Sequence, residues 1–390
     1  MNVQKNSGVI TAGLALFSMF FGAGDLLWPI ILGGNSGDQN FYAMCGLLVT
    51  GVSLPLLGVI SMILFGGDYR EFFGRIGKYP SIVLLFVIQA ILGPFGSIPR
   101  LITLMHATIE PYMPFNLSLV VFSFLASILI LACTFKPSKI IDLLGYILTP
   151  VLLACLGGIL ILGFWNHPEP AATDLTSSAA FKEGLATGYN TLDLIASFIF
   201  APFVLFHFCQ DRKQLDNPEM MSLVFKKMLK ASFIAAGLLS AMYVGLTYVS
   251  SFYTPIIGDV VAEGRLSAVA IYLLGPYGGF VSCMAVFMAC LTTAIPIVSI
   301  CAEYVKESFL NEKVGTIFPQ VLILLISGCL ANLGFIGIAN MLTPILEVLC
   351  PALIVLSVMN IFHKLYEFKP VKVAFGSTLG LTAISRYLSQ

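Results

Sequence analysis

Long apolar stretches alternate with short polar segments along the whole chain, at a spacing that suits a bilayer rather than a soluble core. Eleven apolar segments stand out, at about 9–32, 41–65, 81–108, 116–135, 140–164, 185–208, 231–251, 277–305, 315–333, 338–362 and 371–388. Each has roughly the ~17 or more residues that a helix needs to cross the hydrocarbon layer. The last is the least apolar, carrying Lys372, Gly376, Ser377, Gly380 and Arg386, and reads as an eleventh helix or as a shortened interfacial end. The longest polar segments, at 165–184 and 209–230, are too short for a soluble domain. The expectation is one all-α polytopic membrane domain over 1–390.

Several apolar segments are interrupted near mid-membrane. In the first, FFGAGDLLWP at 20–29, Gly22, Ala23 and Gly24 are followed at once by Asp25. Glycines that loosen a helix there expose backbone N–H and C=O groups, which are tolerated only where they line a protein cavity. A carboxylate at that depth needs a partner or a proton. Five spans followed by five more must have opposite orientations, so 8–164 and 184–363 are candidates for an inverted repeat, with 364–390 as an extra span. The sixth span matches the first in this scheme, and ASFIFAP at 196–202 puts Pro202, which lacks an amide hydrogen, near its middle. Span 3 carries Gly93-Pro94-Phe95-Gly96 and Pro99-Arg100, span 8 carries Thr292-Thr293, and span 10 carries Thr343-Pro344 and Glu347. One proline or threonine pair is ordinarily a kink or a back-bonded turn. Their common depth points to a solute site.

Composition agrees: 58% of residues are hydrophobic and 10% charged, against roughly 25% charged in soluble domains. The net charge is zero, but its distribution orients the chain. With the N-terminus in the cytoplasm, sixteen Lys and Arg fall on the inner side and three, Lys182, Arg265 and Arg386, on the outer, with Arg100 inside a span. The first span is too long for a cleavable signal and has no small-residue cleavage site. The nine cysteines show no metal-ligand spacing and read as small core residues. Within the spans three acids, Asp25, Asp193 and Glu347, face one base, Arg100. The excess negative charge calls for a bound cation, a substrate ammonium group or a proton. Asp193 and Arg100 could instead be hydrated near the outer surface or paired with each other. The histidines are peripheral, which speaks against an intramembrane enzyme, and a channel would not need two broken-helix repeats.

Taken together, GLALFSMFFGAGDLLWP at 13–29, ILGPFGSIPR at 91–100, GYNTLD at 188–193, ACLTTAI at 289–295, CAEY at 301–304 and NLG at 332–334 resemble the branched-chain amino acid:cation symporter family, the Brn-type carriers of the amino acid–polyamine–organocation superfamily. The resemblance spans roughly 8–363. It implies a LeuT-type five-plus-five inverted repeat with broken helices 1 and 6, and uptake of leucine, isoleucine and valine driven by Na⁺ or H⁺ through a bacterial cytoplasmic membrane. It implies no cofactor, no nucleic acid and no obligate protein partner. By analogy the amides of Gly22, Ala23 and Gly24 would hold the substrate carboxylate, with Phe21, Ser197, Phe198 and Phe200 around the side chain. A cation would lie between helices 1 and 8, at Ser18, Phe21, Asp25, Ala289, Thr292 and Thr293. Arg100, Asp193 and Glu347 would serve coupling or gating. The chain departs from the family's usual pattern in having Asp25 for Asn, Pro296 for Gly, Glu347 for a neutral residue, and eleven spans rather than twelve. The extra acids could change the coupling ion or the solute, leaving a same-fold carrier of another small solute as the alternative.

Overall fold

A computed structural model describes residues 7–113, 117–134, 140–165, 168–170, 172–209, 215, 217–258, 260–310, 315–367 and 370–388, and among them every regular element is helical. The first apolar segment divides into α1 (Ser7–Phe20) and α2 (Ala23–Ser36). The second is α3 (Asn40–Leu48) and α4 (Leu54–Leu64), joined through a widened turn at Val49–Ser53 and followed by the short α5 (Tyr69–Gly74). Next come α6 (Lys78–Leu92) and α7 (Ser97–Ile109), then α8 (Leu119–Thr134), then α9 (Ile140–Leu143) running on into α10 (Thr149–Trp165). The second half comprises α11 (Ser177–Tyr189), α12 (Asp193–Phe208), α13 (Pro218–Ile257), the short α14 (Arg265–Leu274), α15 (Gly278–Phe309), α16 (Ile317–Ala331), α17 (Gly334–Tyr366) and α18 (Val371–Leu388).

Among the described residues six helical stretches are long and apolar enough to cross a membrane, and α11 with α12 make a seventh as a pair bent by 41°. The helices α1, α8 and α16 are apolar but shorter. The final helix covers the predicted range, 371–388, but does not reach that apolarity.

Three spans are broken, each for a local reason. At the α1/α2 break, Phe21 N–H still closes on Phe17 O, at 2.8 Å, and Gly22 then turns extended. Asp25, three residues into α2, reaches back to accept the Gly22 amide at 2.8 Å, the reciprocal half of a capping box. Between α6 and α7, Pro94 has no amide hydrogen to give. Between α11 and α12 the break falls at 190–192, not near Pro202, and the span begins at 177 rather than 185. Leu192 adopts a left-handed conformation, φ 73°, which costs a non-glycine residue about 1 kcal/mol. Thr191 replaces the lost ladder with its side chain, donating to Gly188 O at 2.9 Å and accepting from Asp193 N at 3.4 Å. Pro202 is carried inside an unbroken α12.

Helix packing brings the breaks together. The broken sixth span lies against α3 and α4 through small residues: a Cβ on Gly46 would come 2.2 Å from Phe181 O, and one on Gly184 would come 2.1 Å from Ala43 O. Close backbone approach of this kind is how membrane helices gain dispersion contacts without a hydrophobic driving force. The long α13 packs along both α1 and α2, with Ser250 Oγ donating to Ile30 O at 2.5 Å.

Candidate functional site

Asp25, Asp193 and Arg100 meet where the three breaks converge, and each is at most 2% exposed. Tyr243, near the middle of α13, donates its hydroxyl toward both acids: Asp25 Oδ1 is in contact, and Asp193 Oδ2 lies at 2.7 Å. A phenol has a single hydrogen and can satisfy a single acceptor. The second oxygen–oxygen contact therefore requires another hydrogen, or a cation, on the carboxylate pair.

Arg100 approaches from α7. Its Nη2 donates to Asn190 O at 3.0 Å, and its guanidinium carbon lies 4.5 Å from the Phe335 ring centre and 6.0 Å from that of Trp28. Nε and Nη1 are buried with no hydrogen-bond partner among the described residues. Asn190 is a hub, because its side-chain oxygen also accepts from Thr343 Oγ1 at 2.8 Å. One residue at the α11/α12 break thus links α7, α11 and α17.

These groups surround a small cavity. Its polar lining comes from Gly22, Ala23, Gly24, Asp25, Arg100, Thr191, Asp193 and Thr293, and its apolar wall from Phe20, Leu92, Phe200 and Ile297. The cavity is about 20 Å³, room for about one water molecule. A second space of about 440 Å³ opens between α12 and α15, lined by Ile199, Pro202, Ile300, Glu303 and the Arg70–Glu307 ion pair at 3.1 Å. Trp28 and Phe335, 6.2 Å apart, pack beside Arg100. The central cavity is thus small, with a larger vestibule between α12 and α15.

Of the expected helix 1/helix 8 set, one pair meets across the two helices. Thr293 Oγ1 donates to Ser18 O at 3.2 Å across α1 and α15, while Thr292 Oγ1 back-bonds to Ala289 O at 2.9 Å. Among the described residues no group of three or more His, Cys, Asp or Glu could hold a metal ion.

Other expected site residues lie elsewhere. Phe21 stacks its ring on Phe17, at 5.2 Å between centroids, and Phe20 takes its place on the cavity wall. Ser197 bonds back to Leu194 O and packs against Gly58 of α4. Phe198 packs between Phe72 and Phe73. On α12 only every third or fourth residue faces the cavity, so Ala196 and Phe200 line it while Ser197 and Phe198 point away. Glu347 pairs with Arg386 of α18 and is 44% exposed, so it is a peripheral acid rather than a member of the site. Asp193 and Arg100 are both buried and are not hydrogen-bonded to each other. Tyr243 was not foreseen. Its signal is a polar aromatic at the centre of an apolar helix, away from the interfacial belts where tyrosine usually sits.

A profile of the family described as branched-chain amino acid transport protein matches residues 5–389. The branched-chain amino acid permease BrnQ of Bacillus subtilis (strain 168) is 29% identical over 394 aligned positions, covering 98% of this chain and 87% of that protein. MhsT in complex with L-phenylalanine superposes with a TM-score of 0.61 at 13% identity, over 97% of this chain and 99% of that one. A Na⁺-coupled sialic acid symporter, in a substrate-bound outward-open state, gives a TM-score of 0.60 at 12% identity, over 96% and 88%. At these identities the two structures speak to the fold alone, which is the LeuT-type five-plus-five inverted repeat.

Proposed function

Because the chain belongs to the branched-chain amino acid transport protein family, whose members are carriers and not enzymes, we propose that it takes up leucine, isoleucine and valine by cation-coupled alternating access. The membrane is the bacterial cytoplasmic membrane, with the N-terminus in the cytoplasm as the sixteen-to-three distribution of Lys and Arg favours. The observation that carries this reading is the cavity where the broken helices meet. It pairs two carboxylates and a guanidinium with an apolar wall of Phe20, Phe200 and Ile297, a set of groups that suits a zwitterion with an aliphatic side chain.

The coupling cation is Na⁺ or H⁺. Two features support an ion at this depth. Thr293 Oγ1 and Ser18 O meet between helices 1 and 8 and are hard oxygen ligands, a set that Thr292, Ala289 O and the Phe21 carbonyl would complete. Asp25 and Asp193 share one phenolic hydrogen and need a second positive partner. With a zwitterionic solute, one coupling ion moves one charge. At about 2.3 kcal/mol per 100 mV, that supports roughly 50-fold accumulation. The vestibule between α12 and α15 lies on the side the charge pattern assigns to the cytoplasm, and the small central cavity accepts a leucine only after a neighbouring helix half moves.

Labelled leucine uptake into proteoliposomes, under separately imposed Na⁺ and H⁺ gradients, tests this. Saturable accumulation driven by one of the two gradients, competed by isoleucine and valine but not by lysine or glutamate, is expected. Non-saturating flux, or indifference to both gradients, rules it out.

A further inference from the structure

We propose that Arg100 is the anchor for the α-carboxylate of the transported amino acid, taking the role that the backbone amides of the α1/α2 break would otherwise fill; this deepens the substrate reading above and rests on it. The amide nearest the break is already engaged: Gly22 N–H donates to Asp25 Oδ2 at 2.8 Å. A substrate carboxylate placed there would have to displace the side chain that caps α2, and would sit beside a like charge.

Arg100 offers the opposite situation. It is 2% exposed and lines the cavity. Of its five N–H donors, one hydrogen bond is made, from Nη2 to Asn190 O, and Nε and Nη1 have no partner among the described residues. Buried donors left unmade are uncommon, and such a group calls for an explanation. A planar guanidinium with several free hydrogens suits both oxygens of a carboxylate. The rings of Phe335 and Trp28 pack beside the guanidinium, at 4.5 and 6.0 Å from its carbon.

The remaining lining then assigns itself by charge. With the carboxylate on Arg100, the ammonium faces Asp25 and Asp193, and the aliphatic side chain lies toward Phe200 and Ile297. Neutralising Arg100 with substrate also changes what holds Asn190, and through it Thr343 of α17. Binding at the centre is thereby linked to the break in the sixth span.

The test is a ratio of affinities, measured on the full chain in lipid nanodiscs by displacement of labelled leucine or, for variants, by direct titration. Leucine is compared with leucinamide, which keeps the ammonium and the side chain but lacks the carboxylate. Wild-type protein should prefer leucine by roughly 30-fold or more, the usual scale for unpairing a buried charge. Arg100→Gln should lose leucine affinity by a similar factor while leucinamide binding changes less than about threefold, so the preference collapses. A purely structural role would weaken both ligands together and leave the ratio intact, and that result overturns the proposal. Should Arg100→Gln fail to fold, Arg100→Lys, which keeps the charge without the planar fork, carries the test: a preference as large as wild type overturns the anchor. Wild-type protein that binds no leucine refutes the substrate reading alone. The ratio is then taken with whichever of the common amino acids it binds, against that amino acid's amide, and binding of none refutes the anchor as well.

Discussion

Asp25→Asn separates coupling from folding because the side chain keeps its shape and changes its hydrogens. In the native site Asp25 accepts from Gly22 N at 2.8 Å and from Tyr243, whose hydroxyl also faces Asp193 Oδ2 at 2.7 Å. The introduced amide can keep both contacts: its oxygen accepts from Gly22 N, and its nitrogen donates to the phenol oxygen. The phenol hydrogen is then released wholly to Asp193. What is lost is the charge-assisted increment of two hydrogen bonds, about 1 kcal/mol each, offset in part by removing one of two adjacent carboxylates. Stability should therefore fall by no more than about 2 kcal/mol. Coupling should suffer far more, because the substitution supplies the second hydrogen permanently and removes the demand for an ion. One ion moving through 100 mV supports roughly 50-fold accumulation. In proteoliposomes the Asp25→Asn accumulation ratio should fall toward one, while leucine counterflow, which needs no net ion movement, continues. Uptake is normalised to inserted protein and measured across pH and Na⁺ concentration. Wild-type accumulation with unchanged ion dependence would refute the reasoning. So would a variant that loses expression and thermal stability but keeps its ion dependence in the surviving protein.

Tyr243→Phe leaves two buried carboxylates without their shared donor, an expected loss of about 1–3 kcal/mol per unsatisfied group. Adding Asp25→Asn should restore part of it, because the introduced amide can donate toward Asp193, and strictly additive thermal shifts would argue against the cluster. Thr293→Val removes the hydroxyl that meets Ser18 O at 3.2 Å while preserving shape, so cation dependence should weaken more than expression. Retention of the full cation response by both this variant and Thr292→Val would remove the helix 1/helix 8 cation site. Glu347→Gln should leave affinity and coupling unchanged, since Glu347 pairs with Arg386 and does not line the cavity; an altered ion dependence would return Glu347 to the transport path.

The breaks in the first and third spans were readable along the chain because they are local chemistry. Gly22-Ala23-Gly24 loosens a helix wherever it sits, and Gly93-Pro94-Phe95-Gly96 cannot continue one. The sixth span shows where local reasoning stops. Pro202 is the strongest breaker in that segment, yet α12 runs through it, and the chain turns at Leu192, whose left-handed backbone is held by Thr191 and the tertiary contacts of Asn190. The acids divide in the same way. Asp25, Asp193 and Glu347 look alike as charges inside apolar segments, but two are buried together and the third meets Arg386 at the periphery.

By itself the sequence determined that the protein is a helical membrane protein with broken spans and acids inside its apolar segments. Those properties follow from hydropathy, from the lack of competing hydrogen-bond partners in lipid, and from residue types at one depth. Only the tertiary structure decided which groups share a site. A helix places its residues about 100° apart around its axis, so the rotation of each helix chooses Phe20 over Phe21 and Phe200 over Phe198 for the cavity wall. It also brings Tyr243, 50 residues beyond Asp193 and 218 beyond Asp25, between two carboxylates that no local pattern connects to it.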